Sequence, residues 1–129
     1  MKMNYQIAVA LVIGVAIGGA AIQGLHAQTK PPAYVVIPIL KVNDADAFKT
    51  GVVDKATPAF LASAGGHYVV RSQKFTSLDG NPPERLAIIE LDSVEKAQAW
   101  YDSAAQKEIT AARQKSTNSL SFIVETLAK

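Results

Sequence analysis

The chain contains no cysteine. That absence excludes disulfides, thiol nucleophiles and thiolate metal sites, so whatever holds the fold together is packing. Histidine is almost as scarce: His26 and His67 are the two present, with no HxxxH or HExxH spacing. No dedicated metal site and no cofactor are therefore expected. Neither sign of charge dominates, with 13 Lys and Arg against 11 Asp and Glu in 129 residues. A nucleic-acid binder needs basic side chains concentrated on one face to displace counterions from phosphates, and no such concentration exists, so nucleic acid is not an expected partner. Nucleophile elbows, phosphate loops and paired-carboxylate patterns are missing as well.

A long apolar run occurs once, at the N-terminus. Lys2 precedes an uncharged stretch of Ile, Val, Leu, Ala and Gly from Ile7 to Ile22, and Leu25-His26-Ala27 ends on a small residue. This is the layout of a secretory signal over residues 1–27, with the mature chain beginning at Gln28. Residues 5–25 are also just long enough to cross a hydrocarbon core, and Gly14 and Gly18 form a GxxxG, so an uncleaved inner-membrane anchor is the alternative. Both readings put the remainder outside the cytoplasm, periplasmic or secreted in one case and membrane-anchored in the other.

Residues 28–32 are a polar, proline-containing lead-in, and residues 33–127 read as one domain. Tyr34 to Leu40 is an apolar, β-branched strand in which Pro38 removes a ladder donor, so pairing on that side should stop or bulge there. Asn43-Asp44 offers N-cap chemistry for a helix from Ala45 to Ala64, with Phe48, Val52, Ala56 and Phe60 on one face and a kink at Pro58. Gly65-Gly66 closes it. His67 to Thr76 alternates as a strand, Ser77 to Pro83 is dense in turn formers, and Arg85 to Leu91 is the returning strand. Ser93 caps a short helix carrying Val94, Ala97, Trp100 and Tyr101, and Ser103 with Gln106 makes a capping box that restarts it through Ile109, Ala112 and Arg113. Leu120 to Val124 is the last strand.

The order β-α-β-β-α-β predicts an α+β, ferredoxin-like fold: a four-stranded antiparallel sheet with its helices on one face. The other face cannot be left to water. Val35, Ile37 and Ile39 alternate with Tyr34, Val36, Pro38 and Leu40, and Leu120, Phe122 and Val124 alternate with Ser121, Ile123 and Glu125, so apolar side chains point both ways. Two copies stacking their bare faces would supply the cover, which predicts a homodimer.

The stretches Ala33-Tyr34-Val35-Val36, Gly65-Gly66-His67-Tyr68-Val69-Val70-Arg71, Pro83-Glu84-Arg85 with its apolar strand and Glu90, and Ala99-Trp100-Tyr101-Asp102-Ser103 resemble a small bacterial family known only as a domain of unknown function, DUF1330. The resemblance covers nearly all of residues 33–127 and implies a dimeric α/β barrel, shared with small monooxygenases, isomerases and haem-binding or haem-degrading proteins. The chain departs from the family's commoner pattern in carrying His67 where arginine is usual and Ser72-Gln73 where glycines follow the arginine.

Within such a fold Arg71 and Glu90 are the leading candidates. If Val69 lies opposite Glu90, the two charges are diagonal neighbours on one face and can bridge, either as a structural ion pair or with Arg71 holding an anionic group while Glu90 orients it or accepts a proton. His67 opens the same strand and is either a rim histidine, a proton-transfer group or a haem ligand. Tyr34 can show its hydroxyl to the same interior; Trp100 and Tyr101 read as packing, and Arg113 as a surface or subunit-contact charge. The function expected is binding of a small, partly apolar, partly anionic molecule in the barrel interior. The alternatives are a non-catalytic periplasmic module in which these residues stabilise the dimer, and a haem-binding or cofactor-independent monooxygenase-like enzyme.

Overall fold

Strand β1, Ala33–Val42, carries the frame of the domain, because among the described residues every other strand but one pairs with it directly. In the computed structural model, which describes residues 30–127, Ala33, Val35, Ile37 and Ile39 point to one face of β1 and are buried, while Tyr34, Val36 and Pro38 point to the other and are only half covered. The leader, and with it the signal and anchor readings, lies outside the described residues. Among the described residues no helix is long and apolar enough to cross a membrane.

On one side β1 pairs antiparallel with β3, Arg85–Leu91, in a register running from Ala33 opposite Leu91 to Ile39 opposite Arg85. On its other side lie β4, Thr117–Ser119, and β5, Phe122–Glu125, and β2, His67–Ser72, pairs with the far edge of β3. The spatial order β2-β3-β1-β4, with β5 also on β1 and all pairs antiparallel, is the ferredoxin-like arrangement. The final strand, expected over Leu120 to Val124, starts only at Phe122 as β5 and is preceded by the separate short strand β4, with the gap between them falling where Pro38 was expected to interrupt pairing. A residue's N–H and C=O point to the same side of a strand, and the Pro38 carbonyl accepts from the Leu120 N–H at 3.1 Å, so the missing donor faces this neighbour. Pairing with β5 ends at Val36–Phe122 and resumes with β4 at Ile39–Ser119.

The first helical segment differs from the continuous helix expected over Ala45 to Ala64. Asp44 caps α1, Ala45–Phe48, by accepting from the Ala47 N–H, and the chain then widens into a π-helical turn over Lys49–Val53 and breaks. It restarts as α2, Pro58–Ser63, with Thr57 accepting from the Phe60 N–H and Pro58 in the first turn. Pro58 thus begins a helix rather than kinking one, as suits a residue with fixed φ and no N–H. The restart resets the helical phase: Phe48 and Val52 are buried as predicted, but Leu61, not Phe60, is the fully buried residue of α2. Gly65, at φ +81°, ends it in the left-handed conformation.

Ser93 caps α3, Val94–Tyr101, and Ser103 caps α4, Ala104–Ser116. The Ser103 box is half made, since the Gln106 side chain donates to Thr110 instead of reaching back. Phe48, Val52, Leu61, Ala97, Trp100 and Ile109 cover the Ala33-Val35-Ile37-Ile39 face together with Ile89 and Leu91. The opposite face stays open, with Leu40, Phe122 and Val124 each more than 40% exposed.

Candidate functional site

The β2–β3 hairpin decides which side chains meet. His67 lies opposite Glu90 and Tyr68 opposite Ile89, but the register then slips, so that Val70 meets Ile88 and Arg71 meets Ala87. One extra residue at Val69 is a β-bulge, which rotates everything after it to the other side of the sheet. Arg71 therefore leaves the open face and joins Tyr68 on the helix-covered one. The expected Arg71–Glu90 pair does not form. Glu90 is left with His67, whose Nε2 stands 3.7 Å from its Oε1 in a well-exposed contact. Tyr34, opposite Glu90 on one side and Val124 on the other, shares that open face.

On the helix side Arg71 enters a cleft of about 280 Å³ between the π-helical turn and the β2–β3 end of the sheet. Ile39, Phe48, Val52, Val53 and Ala87 give it an apolar lining, and Arg71, Arg85, Ser72 and Gln73 supply the polar groups. Each guanidinium lies against an aromatic ring: the Arg71 carbon is 4.7 Å from the Tyr68 ring centre and the Arg85 carbon 5.0 Å from that of Phe48. Such stacking fixes a planar cation without neutralising it. Among the described residues neither guanidinium has a carboxylate partner or a hydrogen bond. Glu84, next to Arg85 in sequence, is engaged elsewhere, its Oε1 accepting from the Val42 N–H at 2.9 Å. The Tyr68 hydroxyl donates to the Ala56 carbonyl at 2.6 Å and braces the wall. Burial pushes its pKa above the ordinary 10.0, with the Arg71 charge opposing the shift, so at neutral pH it is an uncharged donor.

Two permanent cations over an apolar floor can hold an anionic group and shelter the apolar body attached to it. His67 and Glu90 stand across the sheet from this cleft. The four predicted residues are thus divided, Arg71 in the cleft and His67, Glu90 and Tyr34 on the open face. Arg85 was not singled out from the sequence; its signal was its place two residues before Ala87 on the inward face of β3.

A second polar cluster corrects the surface reading of Arg113. This side chain is 3% exposed, and its guanidinium donates to Ser119 Oγ and to the Tyr101 hydroxyl, both at 2.7 Å, with Ser121 Oγ at 3.5 Å. Tyr101, read as packing, does pack edge-on against Trp100 but also shares a 2.7 Å hydrogen bond with Ser121. Among the described residues no group of three His, Asp or Glu could hold a metal ion.

No curated protein matches the chain in sequence. Among solved structures it is similar to RPA0582, a protein of unknown function from Rhodopseudomonas palustris, at 18% identity and a TM-score of 0.60, covering 81% of this chain and 93% of that one. A methylated form of RPA0582 gives 15% identity and a TM-score of 0.55 over 81% and 91% of the two chains. SnoaB, a cofactor-independent oxygenase from Streptomyces nogalater, is similar at 12% identity and a TM-score of 0.53, over 77% of this chain and 96% of that one. Likenesses at these identities establish the shared fold and no activity. The sequence profile of the domain of unknown function DUF1330 matches residues 32–127, and the chain belongs to that family.

Proposed function

We propose that this protein binds a small organic anion with an apolar body, and that it does so in the Arg71–Arg85 cleft of each protomer rather than between stacked sheets. One observation carries the reading: two guanidinium groups, each laid on an aromatic ring and neither neutralised, border an apolar cleft. An anion placed there meets two guanidinium groups that no carboxylate neutralises, each already held against a ring, so little ordering is needed on binding. The Tyr68 hydroxyl is already committed to the Ala56 carbonyl and the Ser72 hydroxyl to the Lys74 carbonyl, and the histidine stands beyond the sheet, which favours binding over proton-transfer chemistry.

The proposal extends to a homodimer. Leu40, Phe122 and Val124 on the open face, with Tyr34, Val36, Pro38 and Ile88 half covered among them, form the kind of apolar surface that a second copy would bury. It extends also to export, on the leader of residues 1–27, placing the domain in the periplasm or outside the cell.

Thermal-shift screening of small aromatic and keto acids, followed by calorimetric titration, tests the site. The expected outcome is a compound that raises the melting temperature of the wild type and loses at least about tenfold in affinity in both Arg71→Ala and Arg85→Ala, the scale of one lost charge-assisted hydrogen bond. Equal shifts in wild type and both variants for every compound would end the reading. Sedimentation of Phe122→Glu, which sets a charge on the open face, should give the protomer mass where the wild type gives twice that.

A further inference from the structure

The Arg113 cluster carries an inference independent of the cleft. A guanidinium is never deprotonated in a protein, so a buried one requires either a carboxylate or a set of oxygens arranged around it. Arg113 has the oxygens but not the charge: its partners are three hydroxyls, and no described carboxylate pairs with it. Asp102, one residue from Tyr101, instead accepts from the Gln98 amide at 3.1 Å.

Tyr101 and Ser121 own one hydroxyl proton each and both accept from Arg113, so neither proton can go back to it. One of the two is spent in the hydrogen bond between them. The other has no acceptor among the described residues. Tyr101 and Ser121 both line a groove of about 290 Å³, whose remaining walls are Val35, Gln98, Phe122 and Ile123. The groove therefore presents one unspent hydroxyl donor, backed by an uncompensated buried cation and flanked by apolar side chains from β5. A neutral acceptor would take the proton but leave the charge behind it uncompensated, whereas an anionic acceptor satisfies both at once.

We propose that the Tyr101–Ser121 groove is a second binding site, selective for a small organic carboxylate, in which the carboxylate accepts from the free hydroxyl, Arg113 compensates its charge from behind, and the apolar body lies along Ile123. Arg113 is a positioning residue here, holding both hydroxyls with their oxygens turned inward.

Trp100 is the single tryptophan, and its ring centre is 5.9 Å from that of Tyr101, so its fluorescence reports on this groove. Titrating the full chain with sodium benzoate, against sodium chloride at matched ionic strength, should give a saturable change in Trp100 emission. Its midpoint should rise by about tenfold or more in Tyr101→Phe and in Ser121→Ala, as for loss of a hydrogen bond to a charged group, and stay put in Arg71→Ala. Ser121→Ala leaves both rings in place and decides the matter where Tyr101→Phe alters the emission itself. No saturable change in the wild type, or unshifted midpoints in folded Ser121→Ala, would overturn the proposal. A signal abolished by Arg71→Ala and untouched by Ser121→Ala would assign it to the other cleft, with the same result for this site.

Discussion

Gly51 is the position at which the wall of the Arg71–Arg85 cleft can be moved by one atom. It sits in the π-helical turn Lys49–Val53, and a Cβ built on it would lie 2.7 Å from the Cβ of Ala112 on α4. Two carbons are comfortable at roughly 3.5–4.0 Å, so Gly51→Ala must push the turn and α4 apart by about 1 Å. Both contact atoms are short, with no flexible side chain to absorb the shift. Overpacking of this kind costs about 1–3 kcal/mol, against about 0.5–1 kcal/mol gained from removing a glycine from a helix. The net expectation is a loss of about 1–2 kcal/mol, or a melting temperature lower by about 4–16 °C for a domain of this size. Differential scanning calorimetry measures it directly. Ala112→Gly alone should be destabilising by about 1 kcal/mol through helix propensity, yet in the Gly51→Ala background it removes the clash, so the two changes should couple by at least about 1 kcal/mol. Because Phe48, Val52 and Val53 flank the same turn and line the cleft, Gly51→Ala should also weaken binding of any anion found by the screen. A melting temperature raised by Gly51→Ala, or strict additivity with Ala112→Gly, would refute the close approach.

Two further outcomes follow from the hairpin. The raised pKa of Tyr68 means that its neutral form is favoured by folding, so its contribution is whole below the unfolded value near 10 and is lost as pH rises through the higher folded value; wild-type stability should fall more steeply above about pH 10 than that of Tyr68→Phe when both are melted across the alkaline range. Arg71→Ala and Glu90→Ala, having no shared partner, should add in their effects on stability to within about 0.5 kcal/mol, and a coupling above about 1 kcal/mol in chemical denaturation would show that the two charges meet after all.

Most of the architecture was legible because it is written in local rules. The alternation of β1 sorted its residues onto two faces without telling which one the helices cover, Asp44, Ser93 and Ser103 were readable as caps, and Pro38 marked where pairing is interrupted. The first helical segment was less legible because its apolar spacing continues through a break. Phe48, Val52, Ala56 and Phe60 keep fourth-residue spacing on paper, but spacing cannot show that the hydrogen-bonded turn widens at Lys49–Val53 and that Thr57–Pro58 starts a new helix with its own phase.

The Arg71–Glu90 pairing fails for a different reason, and it turns on one residue. Nothing local marks Val69 as a bulge: no glycine or proline lies within two residues of it, and a β-branched residue reads as regular strand. Yet a one-residue slip exchanges the faces of all that follows, so an arginine expected beside Glu90 on the open face stands instead beside Tyr68 on the other face, and the expected ion pair becomes an unneutralised cation at a cleft. Arg113 shows the converse, a signal present but outweighed by composition. Gln106, Ile109, Arg113 and Ser116 fall at three- and four-residue intervals and are all buried, a regular inward stripe in which three of the four members are polar. Charge made Arg113 look like surface, whereas helical phase placed it inside. Where phase and polarity disagree, phase is fixed by backbone geometry and polarity can be met by hydroxyl partners, so a polar residue on an inward stripe marks a place where the fold has assembled a network around it.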